Sequence, residues 1–286
     1  MKKQDLEAGR ALGADEETWR EAVSALSRLP EGGWGAAVKL LKYPGSGGTE
    51  LPLVCLGRGR EKFRAASVIK VGIAAALLAG VHDRQYSLED TLNIESSQVV
   101  EGGVLSEFSF PRRFSLSELL RLMIVVSDNT AANLLLDLLG RERVNAFLKE
   151  RLGLRHSVIN RFFMHSPELE GENYTSAEDC AEMLSELWQE GVLSGSCRAE
   201  LWSVMSRQMF IEKLPNELPV SVKHYNKTGE LDDGVRSDIG VFQCGPLTWS
   251  AAFLTDQQAV SAAETDRIIS KFSAALFKAL AKSYNI

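Results

Sequence analysis

Cysteine is scarce in this chain. Its four residues (Cys55, Cys180, Cys197 and Cys244) form no C-x-x-C pair and stand beside no spaced set of histidines. That spacing disfavours a zinc centre and a disulfide-stapled fold, and free, mostly buried thiols of a reducing compartment are expected. Cys180 and Cys197 read as lying near opposite ends of one helical stretch, too far apart to bridge. Histidine is equally thin: His82, His156 and His165 make no set, and His224 falls on the strand face opposite Lys227. No metal or organic cofactor is expected. Positive charge is not in excess either, with 32 Lys+Arg against 38 Asp+Glu and a net charge of -6. Nucleic-acid binding needs a concentrated cationic surface, and Arg58–Lys62 and Arg112–Arg113 are too short to supply a groove.

Long apolar runs are also missing. The longest, Val71–Val81, has eleven residues including Gly72 and Gly80, short of the roughly 20 that a membrane span needs, and reads as a buried core helix. No apolar core follows Lys2 and Lys3, so no signal peptide is read. A cytoplasmic location is expected, or a periplasmic or secreted one if a leader was omitted.

What is present is an ordinary globular composition, 45% hydrophobic and 24% charged over 286 residues, ample for a core without staples. Helical spacing covers Asp15–Leu29, Ser67–His82, Ser115–Val126, Thr130–Leu139, Arg143–Leu152, Ser176–Glu190, Ser196–Met205 and Ala262–Lys282. Strand character covers Trp34–Tyr43 and Leu51–Leu56, joined by a hairpin signal at residues 44–48. It returns in Pro219–Gly229, Val235–Gln243 and Leu247–Leu254. Strands near both termini with helices between them imply an α/β (α+β) fold. One antiparallel sheet is built from the two chain ends and packed with helices, and an all-helical lobe is inserted between its halves. The expected division is 1–62 with 215–286 for the sheet lobe and 63–214 for the helical lobe, with a cleft at their junction. A monomer is expected. Trp19, Trp188 and Trp202 lie in apolar helical patterns and read as core.

Three short motifs carry chemistry. Ser67-Val68-Ile69-Lys70 opens the most apolar helix and puts Lys70 about one turn beyond Ser67 on the same face. A serine hydroxyl becomes nucleophilic when a base takes its proton. A lysine made neutral by burial or a nearby cation can be that base, and the helix-start N–H can serve an oxyanion. Alone, the pattern reads equally as an N-cap and a surface lysine. Ser127-Asp128-Asn129 precedes a helix and by itself asks only for capping by Ser127 or Asp128. Lys227-Thr228-Gly229 ends a strand, with Lys227 on the face of Tyr225 and Gly229.

In this order and these settings the three motifs match the Ser-x-x-Lys, Ser-Asp-Asn and Lys-Thr-Gly set. The sequence resembles the penicillin-recognising serine hydrolases, class A β-lactamases most closely, from about Phe63 to the C-terminus. The likeness is strongest over Leu119–Leu136 and Asn226–Val241. The resemblance implies Ser67 as nucleophile, Lys70 as its base or proton relay and Ser127 as proton donor to the leaving nitrogen. It implies Lys227 as the cation that keeps the site positive, helping to depress the Lys70 pKa and to attract a substrate carboxylate. Asn129 would bind the substrate's side-chain amide and Thr228 its carboxylate. Gly229 completes the third motif, and Glu230 would contribute a backbone N–H to the oxyanion hole, its side chain mattering less. Arg236 would pair with the carboxylate from a neighbouring strand. The loop Val99–Phe108 would line the cleft mouth, although Gly102 and Gly103 alone would suit a simple turn.

One part of the pattern is missing. The family's Glu-Pro-Glu-Leu-Asn loop, whose first glutamate activates the deacylating water, meets Ser166-Pro167-Glu168-Leu169-Glu170 here. Counting from Arg161 puts the glutamate position at Phe163, and neither register supplies the acid. Glu168 or Glu170 would then be a substitute base, or deacylation would be slow; Glu172 is expected to form a structural ion pair with Arg161 instead. The expected function is a serine hydrolase that opens a β-lactam amide through an acyl-enzyme on Ser67. The alternatives are a D-amino-acid peptidase or esterase with the same site, and a penicillin-binding sensor that does not turn over. The partner in each case is a small molecule, with no nucleic acid or membrane.

Overall fold

Period-two alternation decides how the sheet is covered. In the last strands Phe242, Trp249, Ala251 and Phe253 turn one way, while Ile239, Val241, Ala252 and Leu254 turn the other, and all are buried. A sheet apolar on both faces must be covered on both. The computed structural model describes residues 3–30, 32–46, 51–256 and 260–286.

In chain order the elements are α1 (Lys3–Ala11), α2 (Glu16–Leu26), β1 (Trp34–Lys42), β2 (Val54–Gly57) and β3 (Phe63–Arg64), then α3 (Lys70–His82), β4 (Thr91–Ile94), β5 (Arg112–Ser115), α4 (Leu116–Val125) and α5 (Asn129–Leu139). They continue with α6 (Arg141–Ala146), α7 (Pro167–Glu170), β6 (Tyr174–Thr175), α8 (Ala177–Trp188), α9 (Gly195–Met205), β7 (Lys223–Glu230), β8 (Arg236–Cys244), β9 (Leu247–Thr255) and α10 (Ala262–Tyr284). The main sheet runs β2-β1-β9-β8-β7, antiparallel throughout. β1 from one chain end pairs with β9 from the other, starting at Trp34 opposite Thr255. The sheet therefore closes only when the two ends meet, as the sequence implies.

The large side chains lie under α1, α2 and α10. Phe242 stacks on Trp249, Trp249 on Phe277, and Phe253 meets Phe272 of α10. The opposite face carries small residues such as Ala37 and Ala252, which let α8 lie close enough for Ser250 Oγ to donate to the Ala181 carbonyl at 3.1 Å. Behind α8, α3 is buried almost all round and forms the centre of the helical layer. Gly72 is needed there because a Cβ would stand 2.6 Å from Leu148 Cδ2.

Several expectations shift on contact with the structure. The helix read from Ser67 begins as a 3₁₀ turn, Ala66–Ile69, and becomes α-helical at Lys70. The strand read from Pro219 starts at Lys223, because Pro219 has no N–H for a ladder and its carbonyl is taken by the Val222 N–H in a turn. Arg143–Leu152 divides into α6 and a π-helical turn, Phe147–Arg151. Cys180 and Cys197 lie on successive helices, α8 and α9, not on one, and all four cysteines are free thiols. The 44–48 hairpin signal falls partly outside the described residues. Trp19 and Trp202 are buried, and Trp188 packs on Trp202 and Tyr225.

The aromatic seam between sheet and α10 holds the two chain ends together. Phe253→Ala should cost about 3–5 kcal/mol, the usual range for truncating a fully buried phenylalanine. A urea midpoint that moves by less than about 1 kcal/mol equivalent would show that the seam is dispensable.

Candidate active site

The edge strand β7 faces the 3₁₀ turn that leads into α3, and Gly229 lets them touch. A Cβ at Gly229 would lie 3.0 Å from the backbone nitrogens of Ser67 and Val68. Ser67 thereby sits at the floor of a cleft of about 250 Å³ lined by Gly102, Gly103, Ser127, Asn129, Phe210, Thr228 and Glu230, among others. Phe210 lines the cleft with its large apolar side chain partly exposed.

Ser127, in the turn between α4 and α5, is the point on which the motifs converge. Its backbone is held at φ +58, in the left-handed region, which costs a non-glycine residue on the order of 1–2 kcal/mol. Asp128 secures that turn, accepting from the Ala131 N–H at 2.8 Å as the cap of α5 and from the Leu105 N–H at 2.8 Å in the 99–108 loop. The capping reading therefore holds for Asp128, and the same turn also serves the cleft. Gly102 and Gly103 both make the loop's turn and line the cleft. Both have positive φ, and side chains there would collide with Asn129 and Asp128.

Two ammonium groups reach Ser127. Lys70 Nζ donates to the Ser127 carbonyl at 2.6 Å and to Asn129 Oδ1 at 2.7 Å, and lies 3.4 Å from Ser127 Oγ. Lys227 Nζ donates to Ser127 Oγ at 3.0 Å and to the Thr228 carbonyl at 2.8 Å. Both side chains are wholly buried. Burial pulls the Lys70 pKa well below its ordinary value, and the charge of Lys227 pulls it further than Asp128 pushes it back. Burial also lowers Lys227, to about 7, with Lys213 lowering it and Asp238 and Glu230 opposing. The Ser67 hydroxyl makes no hydrogen bond among the described residues, whereas Lys70 is held by Ser127 and Asn129.

The remaining expected residues divide. Asn129 lines the cleft with both amide ends engaged, since its Nδ2 donates to the Glu101 carbonyl at 2.9 Å. Thr228 and Glu230 also line it. Arg236 does not: its Nε donates to Asp266 Oδ1 at 3.0 Å and its Nη1 pairs with Glu230 Oε2 at 2.6 Å. Glu168 and Glu170 are not brought to the cleft. Glu168 accepts from Ser166 beside it, and Glu170 pairs with Arg141 and His165 at 3.0 Å each. Neither of the two expected substitute bases is among the residues that line the described cleft, and both sit on the exposed single turn α7. Arg161 and Glu172 form the expected ion pair, at 2.8 Å. Of the two loop positions considered in the sequence, Phe163 is the one whose ring meets Lys70. Its ring lies over Lys70 Nζ at 4.6 Å from the centroid, and its backbone is clamped to Asn133 at 2.7 and 3.0 Å.

Sequence reasoning missed a buried ion cluster beside Lys227. Lys213 is wholly buried, pairs closely with Glu230 and lies 3.9 Å from Asp266. Asp238, opposite Thr228 in the ladder, accepts from Asn226 and from the Leu214 N–H at 3.1 Å each, and burial raises its pKa to about 6. Asp238, an acid directly before the apolar run Ile239–Phe242, was the one available signal.

Residues 55–280 match the model of the "Beta-lactamase enzyme family". The chain belongs to the β-lactamase enzyme family. Its likeness is to the class A members. It is 28% identical over 181 residues to the extended-spectrum β-lactamase PER-1 of Pseudomonas aeruginosa, a match covering 59% of this chain and 58% of PER-1, so less than two thirds of that relative's length is spanned. The fold matches a crystal structure of a β-lactamase from Sphaerobacter thermophilus with a TM-score of 0.82 and 25% identity, over 94% of this chain and 98% of the other. It also matches a mutant of PBP-A, solved as an acyl-enzyme complex with penicillin G, with a TM-score of 0.79 and 25% identity, over 93% and 97% of the two chains.

For this β-lactamase-family protein, Lys227 carries a stability cost with a definite pH signature. Its folded pKa of about 7 lies below its unfolded value near 10.4, so between them the unfolded state binds more protons and stability rises with pH. Lys227→Met should therefore raise Tm at pH 7 by a few degrees, and the gain should shrink toward pH 10. Thermal melts showing a loss at pH 7, or a gain that grows with pH, would contradict the assignment.

Proposed function

We propose that this protein is a serine hydrolase of the class A type that opens a β-lactam amide through an acyl-enzyme on Ser67 and releases the product slowly. The supporting observation is the convergence of Lys70 and Lys227 on Ser127, in the cleft that Ser67 lines. A neutral Lys70 takes the Ser67 proton, Ser67 Oγ bonds to the carbonyl carbon, and the backbone N–H groups of Ser67 and Glu230 hold the oxyanion. The carbonyl–nitrogen bond then breaks, and Ser127 passes a proton to the leaving nitrogen and is reprotonated from the lysines.

Hydrolysis of the resulting ester needs a base to activate water. The loop position that faces Lys70 holds the Phe163 ring, and the nearby acids of α7 are engaged elsewhere. That observation favours slow turnover over rapid hydrolysis.

Intact mass followed over time after adding a penicillin tests the reading. An adduct on Ser67 that forms and persists is expected, and none forming, even with a fluorophosphonate probe, would remove it. Lys70→Ala should lower the acylation rate near neutral pH by at least a hundredfold, as expected for loss of a general base. Phe163→Glu should shorten the adduct lifetime by about tenfold or more, because it places a carboxylate against the ester. An unchanged lifetime in a folded variant would show that the loop position does not govern release.

A further inference from the structure

Glu230 is the only ionisable side chain among the residues that line the described cleft, and it is an acid. The neighbouring cations are not free to meet a substrate anion. Lys213, wholly buried, pairs with one Glu230 oxygen, and Arg236 Nη1 pairs with the other at 2.6 Å. The remaining guanidinium edge of Arg236 is held by Asp266, which also lies 3.9 Å from Lys213. Lys213 and Arg236 are thus balanced by Glu230 and Asp266, and the third cation, Lys227, is wholly buried and engaged by Ser127 Oγ and the Thr228 carbonyl. Burial pulls the Glu230 pKa up, but Lys213 and Arg236 pull it down further, so Glu230 remains an anion, its side chain 41% exposed, among the residues that line the cleft.

We infer that the Glu230 carboxylate is the specificity-determining group of this cleft, occupying the cations that would otherwise bind a substrate carboxylate and selecting substrates that are neutral at that end. The inference rests on the acyl-enzyme reading and narrows its substrate class to esters, amides or other uncharged derivatives. An incoming carboxylate must either meet an anion across the cleft or displace it, leaving a half-buried charge unpaired. Thr228 still offers a hydroxyl to a neutral carbonyl at the same place.

The test is the rate of Ser67 acylation, read by intact mass, with a penicillin and with its methyl ester, which differ in that charge and one methyl group. Wild-type protein should acylate faster with the ester. Glu230→Gln should shift the acid-to-ester rate ratio toward the acid by at least tenfold, and Glu230→Asp, which keeps the charge, should leave it near wild type. The ratio is taken within one protein, so a partly folded variant does not distort it. If Glu230→Gln yields no folded protein, the wild-type ratio decides: a faster ester supports the inference and a faster acid overturns it. Acylation by both compounds with an unchanged ratio in Glu230→Gln overturns the inference and leaves the acyl-enzyme reading standing. Acylation by neither compound in wild type overturns both.

Discussion

Two buried lysines reaching for one hydroxyl impose the constraint around which the rest of the structure is arranged. Lys70 and Lys227 both lie within hydrogen-bonding reach of Ser127 Oγ, so their nitrogens are no more than about 7 Å apart, a separation at which two full charges repel by roughly 2 kcal/mol at an effective dielectric near 20. Desolvation adds to that repulsion. The fold resolves the conflict by lowering both pKa values, and does so with packing that cannot relax. α3 is buried along its length, β7 is pinned by the ladder with β8, and Gly229 removes the side chain that would hold strand and turn apart. The sheet face that carries Lys227 also carries Tyr225, wedged against Trp188 and Trp202, so the lysine cannot swing to solvent without opening the helical layer.

Much of this was legible because each motif is contiguous and its neighbours have strong periodicity. Ser67 and Lys70 are one turn apart whether the turn is 3₁₀ or α, and Lys227 keeps its face as long as the strand is a strand. The meeting of both chain ends in one sheet could also be read, since only sheet pairing satisfies apolar strands at each end. The π-helical turn at Phe147–Arg151 and the short strands β3 to β6 were not legible. Two- to four-residue ladders carry too little pattern, and they exist because distant partners satisfy them, as Phe63 is satisfied by Thr175.

Arg236 shows a different limit. Its position nine residues beyond Lys227 identified it, but its availability depended on Asp266, thirty residues further on, and on the side chain of Glu230. Lys213 comes from a segment of turns with no periodic signal at all. A charged residue's role is set by the sum of the charges around it, and that sum is assembled only in three dimensions. Glu230 illustrates the point: its backbone was identifiable from its place after a motif, whereas the influence of its carboxylate required knowing which cations surround it.

Phe163 draws these strands together. An aromatic face attracts an ammonium by its quadrupole, which alone would keep Lys70 charged, yet the ring's bulk also removes water from that ammonium. Desolvation is the largest influence on Lys70, so its shift is downward. On the proposed reading, the ring that helps make Lys70 a base for acylation also fills the space that a hydrolytic water and its carboxylate would need. Acylation and release are then set in opposite directions by one side chain. An acid at 163 would restore a water-activating group, but it would also favour a protonated Lys70, trading some acylation for release.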